Sequence, residues 1–520
     1  MSSSAATTPV ATPPPAGPPP MAGKIDDFSD KLSPMLVKEL RQGLRAKTFV
    51  VVFLALQGLL TFVLLIAMGA ASSADGGSVV SSVIFFFYSL AVLVVQPLRG
   101  IGTLQNEIRG NTIDLMVLTR MGTWRIVLGK WVAIVSQSAL LLAAIAPYLI
   151  LRYFFGRMEL FAELLLMMLV FLGSAVFTAL TVGLSALPSI LVRGLLPLFI
   201  AVWLGGCTIA IIFDNELKRM IDFCTLNQPG SALALIAGVV AAVYGGWSAL
   251  ALGASAIAPM AENHSSIRRI VSLGAVLVVG MVGYFGNFDR ETTGPLLLLF
   301  AAPAVAIALT EPMNLLPPIV RPFLRLGGMG RIAGRILYPG WAPGVIYTGL
   351  LLLVAIACVL IGRASSDGKL SIFLISALGT LLFPAVVLRI FSAKVKNPLA
   401  FYLLIMAITI AIAAGIVIGT IESDEDHWVW FFSWIPPVQV VLGSVVSEQF
   451  SRDLTAGKVS GLPDFSTIYR IGIATAAICY AFLLTSAFKN FFRIREVEQD
   501  ALATPDTTVS ESTRTHLQQP

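Results

Sequence analysis

Charge is what this sequence has least of. Only 12% of its residues are Asp, Glu, Lys or Arg, where a soluble chain carries about a quarter. Apolar residues make up 57%, and the mean hydropathy is +0.86. A water-soluble fold has no means of hiding that much apolar surface behind so few charges. Histidine is scarce, with three residues, and the four cysteines are scattered without metal or pairing spacing, so they read as small buried hydrophobes. Residues 1–23 hold neither a charge nor an apolar core, which excludes a signal peptide. Residues 1–30 are expected to be a disordered Pro-rich tail, and 496–520 a polar disordered one.

What is present is a series of unbroken apolar runs, not the short alternating stretches of a barrel. In lipid only helices and closed barrels satisfy the backbone, so the sequence predicts an all-α integral membrane protein. A hydrocarbon core of about 30 Å needs roughly 20 helical residues. Twelve stretches qualify: 48–71, 79–98, 126–151, 161–187, 195–213, 231–258, 270–287, 295–310, 345–362, 370–390, 400–420 and 469–488. A thirteenth stretch, 429–446, carries Pro436-Pro437 in its middle and three tryptophans nearby, and reads as a re-entrant or interfacial element.

Twelve crossings put 25 of the 35 basic residues on the face of the N-terminus and 10 on the other. The basic excess marks that face as cytoplasmic, with both termini there, in the inner membrane of a cell. The two parts 31–258 and 259–495 then share a layout, a pair of topologically similar six-helix halves without residue-level repeat. The net charge of +6 follows this loop placement and gives no reason to expect nucleic acid; membrane lipids are the expected surroundings.

Two segments stand out. Before the first span, Ser33 can cap a helix opening on Pro34, with Leu36, Leu40 and Leu44 on one face and Lys38, Arg41 and Arg45 away from it. Such a helix lies in the interface, as an orientation anchor or as a functional elbow. After the second span, Gly110-Asn111 breaks a helix and Thr112 can cap a short one carrying Asp114, Leu115 and Leu118 and ending near Arg120. With Glu107 and Arg109 before it, this loop suits either packing beneath the membrane or plugging into a groove on a soluble partner.

These segments resemble the permeases of type-2 ABC exporters. The match runs through Pro34, Leu36, Lys38-Glu39-Leu40 and Arg41, then Glu107, Thr112, Asp114-Leu115, Leu118-Thr119 and Gly129-Lys130. It departs at Asn111, where Gly is usual, and at Arg120, where Pro is common, and it covers residues 31–258. The resemblance implies that Glu107, Arg109, Thr112, Asp114, Leu115, Leu118 and Arg120 form a coupling element. It would dock on a separate ABC ATPase subunit, which would hold the ATP and Mg. Lys38, Glu39, Arg41 and Arg45 would belong to the interfacial helix. A homo-oligomer or a second permease would complete the complex.

The chain itself is not expected to be an enzyme or to bind a cofactor or metal. Gly129-Lys130 and Gly457-Lys458 are followed by Trp131 and Val459, and neither has the earlier Gly that a Walker A loop needs. The rival readings are a secondary transporter, a polytopic enzyme or a membrane scaffold. The spans hold almost none of the carboxylates and histidines of ion-coupled carriers, with Glu163 within one turn of a span end. The dense cluster Glu422, Asp424, Glu425, Asp426 and His427 reads as an exposed acidic loop.

Overall fold

A computed structural model describes residues 34–69, 76–110, 122–153, 159–213, 216–227, 231–259, 262–286, 288, 290–361, 369–391, 395, 397–422, 432–445 and 465–503. Among these the secondary structure is helical throughout. In order the helices are α1 (Pro34–Leu44), α2 (Lys47–Gly69) and α3, which runs as Gly76–Ser89, a π-helical stretch Leu90–Val95 and Gln96–Leu98. There follow α4 (Thr103–Arg109), α5 (Thr123–Tyr153), α6 (Leu160–Leu184), α7 (Leu191–Leu195 in π form, then Leu196–Phe213), α8 (Glu216–Cys224) and α9 (Ser231–Ile257). The remainder are α10 (His264–Phe285), α11 (Arg290–Thr310), α12 (Pro317–Leu324), α13 (Gly327–Leu337), α14 (Trp341–Ile361), α15 (Lys369–Ile390), α16 (Pro398–Glu422), α17 (Pro436–Val445), α18 (Phe465–Phe488) and α19 (Phe491–Ala503).

Each of the twelve apolar stretches falls on a helix. Among the described residues ten helical segments are long and apolar enough to cross a membrane. The bent pair α1–α2, with 57° between its members, makes an eleventh if counted as one span. In α15 the apolar segment of described residues, Ala377–Ile390, is shorter. The chain is a multi-pass membrane protein.

The helices hold together by close backbone approach and hydroxyl bridges, the means available where lipid tails are as apolar as the side chains. Gly183 of α6 packs on α9 so closely that a methyl group there would overlap the Ala249 carbonyl. Gly344 of α14 meets the Ala308 carbonyl of α11 in the same way. The π stretch of α3 shifts the register ahead of Pro97, which has no N–H to donate. Hydroxyls of α6 meet two carbonyls there: Ser174 Oγ donates to Val92 O at 2.6 Å and Thr181 Oγ1 to Pro97 O at 2.8 Å.

Helix α17 begins at the proline pair, where a missing N–H costs least. Its ten residues span about 15 Å, half of what a crossing needs. Val438 and Gln439 are buried against neighbouring helices, so the first turn of α17 packs inside the bundle. Cys224 ends α8 and is buried, as a small hydrophobe would be, which pushes its thiol pKa up.

Contacts between distant links put one set of connections on a single face. Leu104 N in α4 donates to Ser185 Oγ after α6 at 3.2 Å. Pro188 and Ser189 before α7, Glu262 before α10, Glu311 after α11 and Asn397 before α16 surround one cavity. Arg335 of α13 and Glu498 of α19 pair at 2.8 Å, and this bond raises the Arg335 pKa further. Helices α1, α4, α12, α13 and α19 all gather on that face.

Candidate functional site

The first site is built where α1, α3, α4 and α5 meet on this face. Lys130, on the second turn of α5, is 5% exposed, and its Nζ lies 3.0 Å from Glu39 Oε1 and 3.1 Å from Glu107 Oε1. Three charged residues from three separate helices thus form one cluster. Removing either side of this ion pair would strand charge away from water.

Seven residues on, Gln137 occupies the same flank of α5, two turns further along. It accepts from Arg99 Nη1 at the end of α3, and Arg99 Nη2 donates to Gly43 O at 3.3 Å. Arg99 therefore caps the C-terminal turn of α1, where carbonyls lack helical partners. Gly43 allows this because a methyl group there would strike the Gln137 amide. Glu39 and Gly43, one turn apart, are the face α1 turns to the bundle. Lys38, Arg41 and Arg45 point the other way and are exposed. The leucine stripe does not become a buried face: Leu36 and Leu40 are half-buried and Leu44 is exposed.

Of the coupling residues named from the sequence, Glu107 and Arg109 sit in the last turn of α4, and Arg109 is exposed. Thr112, Asp114, Leu115, Leu118 and Arg120 lie outside the described residues. In the chain the segment that holds them is flanked by Arg109 and Arg125, both exposed. Asp424, Glu425, Asp426 and His427 also lie outside the described residues. Among the described residues no three His, Cys, Asp or Glu side chains gather closely enough to hold a metal ion.

A second polar cluster escaped the sequence reading. Helix α10 starts at His264, six residues before the expected span, because the Asn263 side chain accepts from Ser266 N. That brings Arg268 and Arg269 inside the bundle, where both reach Glu311 at the end of α11, at 3.0 and 2.8 Å. Arg269 also donates to the carbonyls of Ile336, Tyr338 and Gly340, and Gly340 N donates to Glu311 Oε2 at 3.0 Å. Gly340 has φ +114°, a conformation that suits glycine. The cluster ties the α13–α14 turn to α10 and α11. The adjacent arginines before an apolar run, and the glutamate just after the next one, were its only sequence signal.

No protein-family model, curated protein or solved structure matches the chain.

Proposed function

We propose that this chain is the membrane permease of an ATP-driven ABC exporter, powered by a separate ATPase subunit that docks on the face carrying α1 and α4. The observation that carries this reading is the Glu39–Lys130–Glu107 cluster. Three charged residues of the resemblance meet in one knot around buried Lys130, which lies 91 and 23 positions from its two carboxylates. That knot fixes α1 and α4 to α5, and so fixes both ends of the 111–121 segment relative to the spans. A load applied to the segment would pass into α1, α4 and the membrane-crossing α5.

Two six-helix halves complete the proposal, with support from the packing pattern. The fourth and sixth spans of the first part, α6 and α9, pack along each other, as do α15 and α18 in the second. The first and third spans also pair in both, α2 with α5 and α10 with α14. The short helix before the final span, α8 or α17, rests in each case on the fourth. Twelve crossings put both termini on the basic face, which we assign to the cytoplasm of a cell's inner membrane. ATP and Mg belong to the partner, and a second permease or another copy of the chain would extend the assembly.

Two measurements test this. Crosslinking and purification of the full chain from its native membrane should recover an ATPase subunit; recovery of none, with the permease intact, returns the scaffold reading. For topology, single cysteines at Ser73 and Ser423 in a cysteine-free variant should react with an impermeant thiol reagent in intact cells. A cysteine at Ser512 should not, and its labelling would place the C-terminus outside.

A further inference from the structure

Between the α6–α7 link, the end of α9, the start of α10 and the links following α11 and α15 lies a cavity of about 380 Å3, on the same face as α1 and α4. Its volume falls in the range of small-ligand sites. Arg268 and Glu311 line it, together with Ser265, Ser255, Asn314 and Asn397. Glu262 and His264, 2.8 Å apart, stand at its edge and are more exposed than these. Two guanidinium groups here share one carboxylate, so the cluster holds an excess positive charge in a place with little water.

The excess falls on Arg268. Arg269 spends its donors on three carbonyls and Glu311. Arg268 is 12% exposed, gives one Nη to Ser255 and the other to Glu311, and its Nε is buried without a hydrogen-bond partner. A guanidinium edge with donors to spare matches the oxygens of a phosphate group.

A second feature says what the phosphate is attached to. Asn397 and Ala400 line both the cavity and an apolar groove of about 460 Å3 bounded by Leu191, Phe391, Phe401 and Leu404. Leu191, Phe391 and Leu404 are exposed on the outer flank of α7, α15 and α16, the flank that faces lipid in a membrane. A polar cavity with an arginine in its wall, sharing Asn397 and Ala400 with an apolar groove, fits a headgroup with its chains.

We propose that this cavity and groove bind an anionic phospholipid-like amphiphile, its phosphate on Arg268 and its acyl chains along Leu191, Phe401 and Leu404. The site does not depend on the transport reading. To test it, the full chain in mild detergent is incubated with phosphatidylglycerol or phosphatidylcholine and the retained lipid is measured by native mass spectrometry. Glycerol 3-phosphate and inorganic phosphate serve as competitors.

Phosphatidylglycerol should be retained about tenfold more strongly than phosphatidylcholine, and Arg268→Gln should remove that preference, the scale of one charge-assisted hydrogen bond. Ala400→Trp, which fills the junction of cavity and groove without touching the ion cluster, should lose the lipid as well. Equal retention of the two lipids would overturn the proposal. So would unchanged binding in Ala400→Trp, or displacement of the lipid by equimolar inorganic phosphate, the mark of a free-phosphate site. If Arg268→Gln fails to fold, Ala400→Trp decides.

Discussion

Leu115→Asp is expected to abolish copurification of the ATPase while leaving the permease inserted and folded. Under the proposed function, Leu115 and Leu118 enter a groove on the ATPase, and each buried leucine contributes about 1.5–3 kcal/mol. A carboxylate in that groove loses the apolar term and adds an unpaired ion, a combined effect well beyond tenfold in affinity. Arg120→Ala, by contrast, removes one rim ion pair, worth mostly below 1 kcal/mol, and should only weaken binding, more visibly at high salt. The second half gives an internal comparison. Replacing Arg331 and Arg335 by Ala should damage transport less than disrupting Leu115 and Leu118, because Arg335 is held by Glu498 within the chain. Full ATPase binding by Leu115→Asp, or equal damage at both sites with expression unchanged, would remove the coupling role from the 111–121 segment.

Lys130→Met should destabilise the first half by about 3–5 kcal/mol, the cost of leaving a buried pair half removed. Glu39 and Glu107, only 20% and 19% exposed, would face each other with no cation between them. The predicted signature is a lowered melting temperature in detergent together with loss of ATPase coupling. Restoring neutrality with Glu39→Gln and Glu107→Gln in the Lys130→Met background should recover most of the stability, because the stranded charges are gone. It should not restore coupling if the ionic knot transmits force between α1, α4 and α5. Recovery of neither property would mean that Lys130 acts through packing of its alkyl stem alone.

The apolar helices, ten of them long and apolar enough to cross a membrane among the described residues, were legible in the sequence because hydropathy is a local property: a run of some twenty apolar residues needs no knowledge of its neighbours to prefer lipid. The proline pair at 436–437 was legible for a similar reason, since proline acts on its own helix, although the burial of α17 was not. The site was legible only in part. Glu39, Glu107 and Lys130 stood out as members of a resemblance, yet nothing in their spacing showed that they touch. Arg268, Arg269 and Glu311 were passed over, because an Asn263 cap moved the start of α10 and carried two arginines from an expected loop into the bundle. The sequence by itself determined that this chain is helical and lives in a membrane, and it placed the apolar helices to within about two turns. The short helices α8, α12, α13 and α19 it did not show. Of these, α19 carries ordered helix through 496–503, where a disordered tail was expected, because Ile494, Glu498 and Ala501 are buried. Only the tertiary structure decided which charge meets which, since partners 91 and 42 residues apart come together through the packing of helices, set by small residues such as Gly183 and Gly344. Burial fixes how far along the chain a helix runs. The neighbour it is pressed against follows from side-chain shape on both helices at once, which no single stretch of sequence contains.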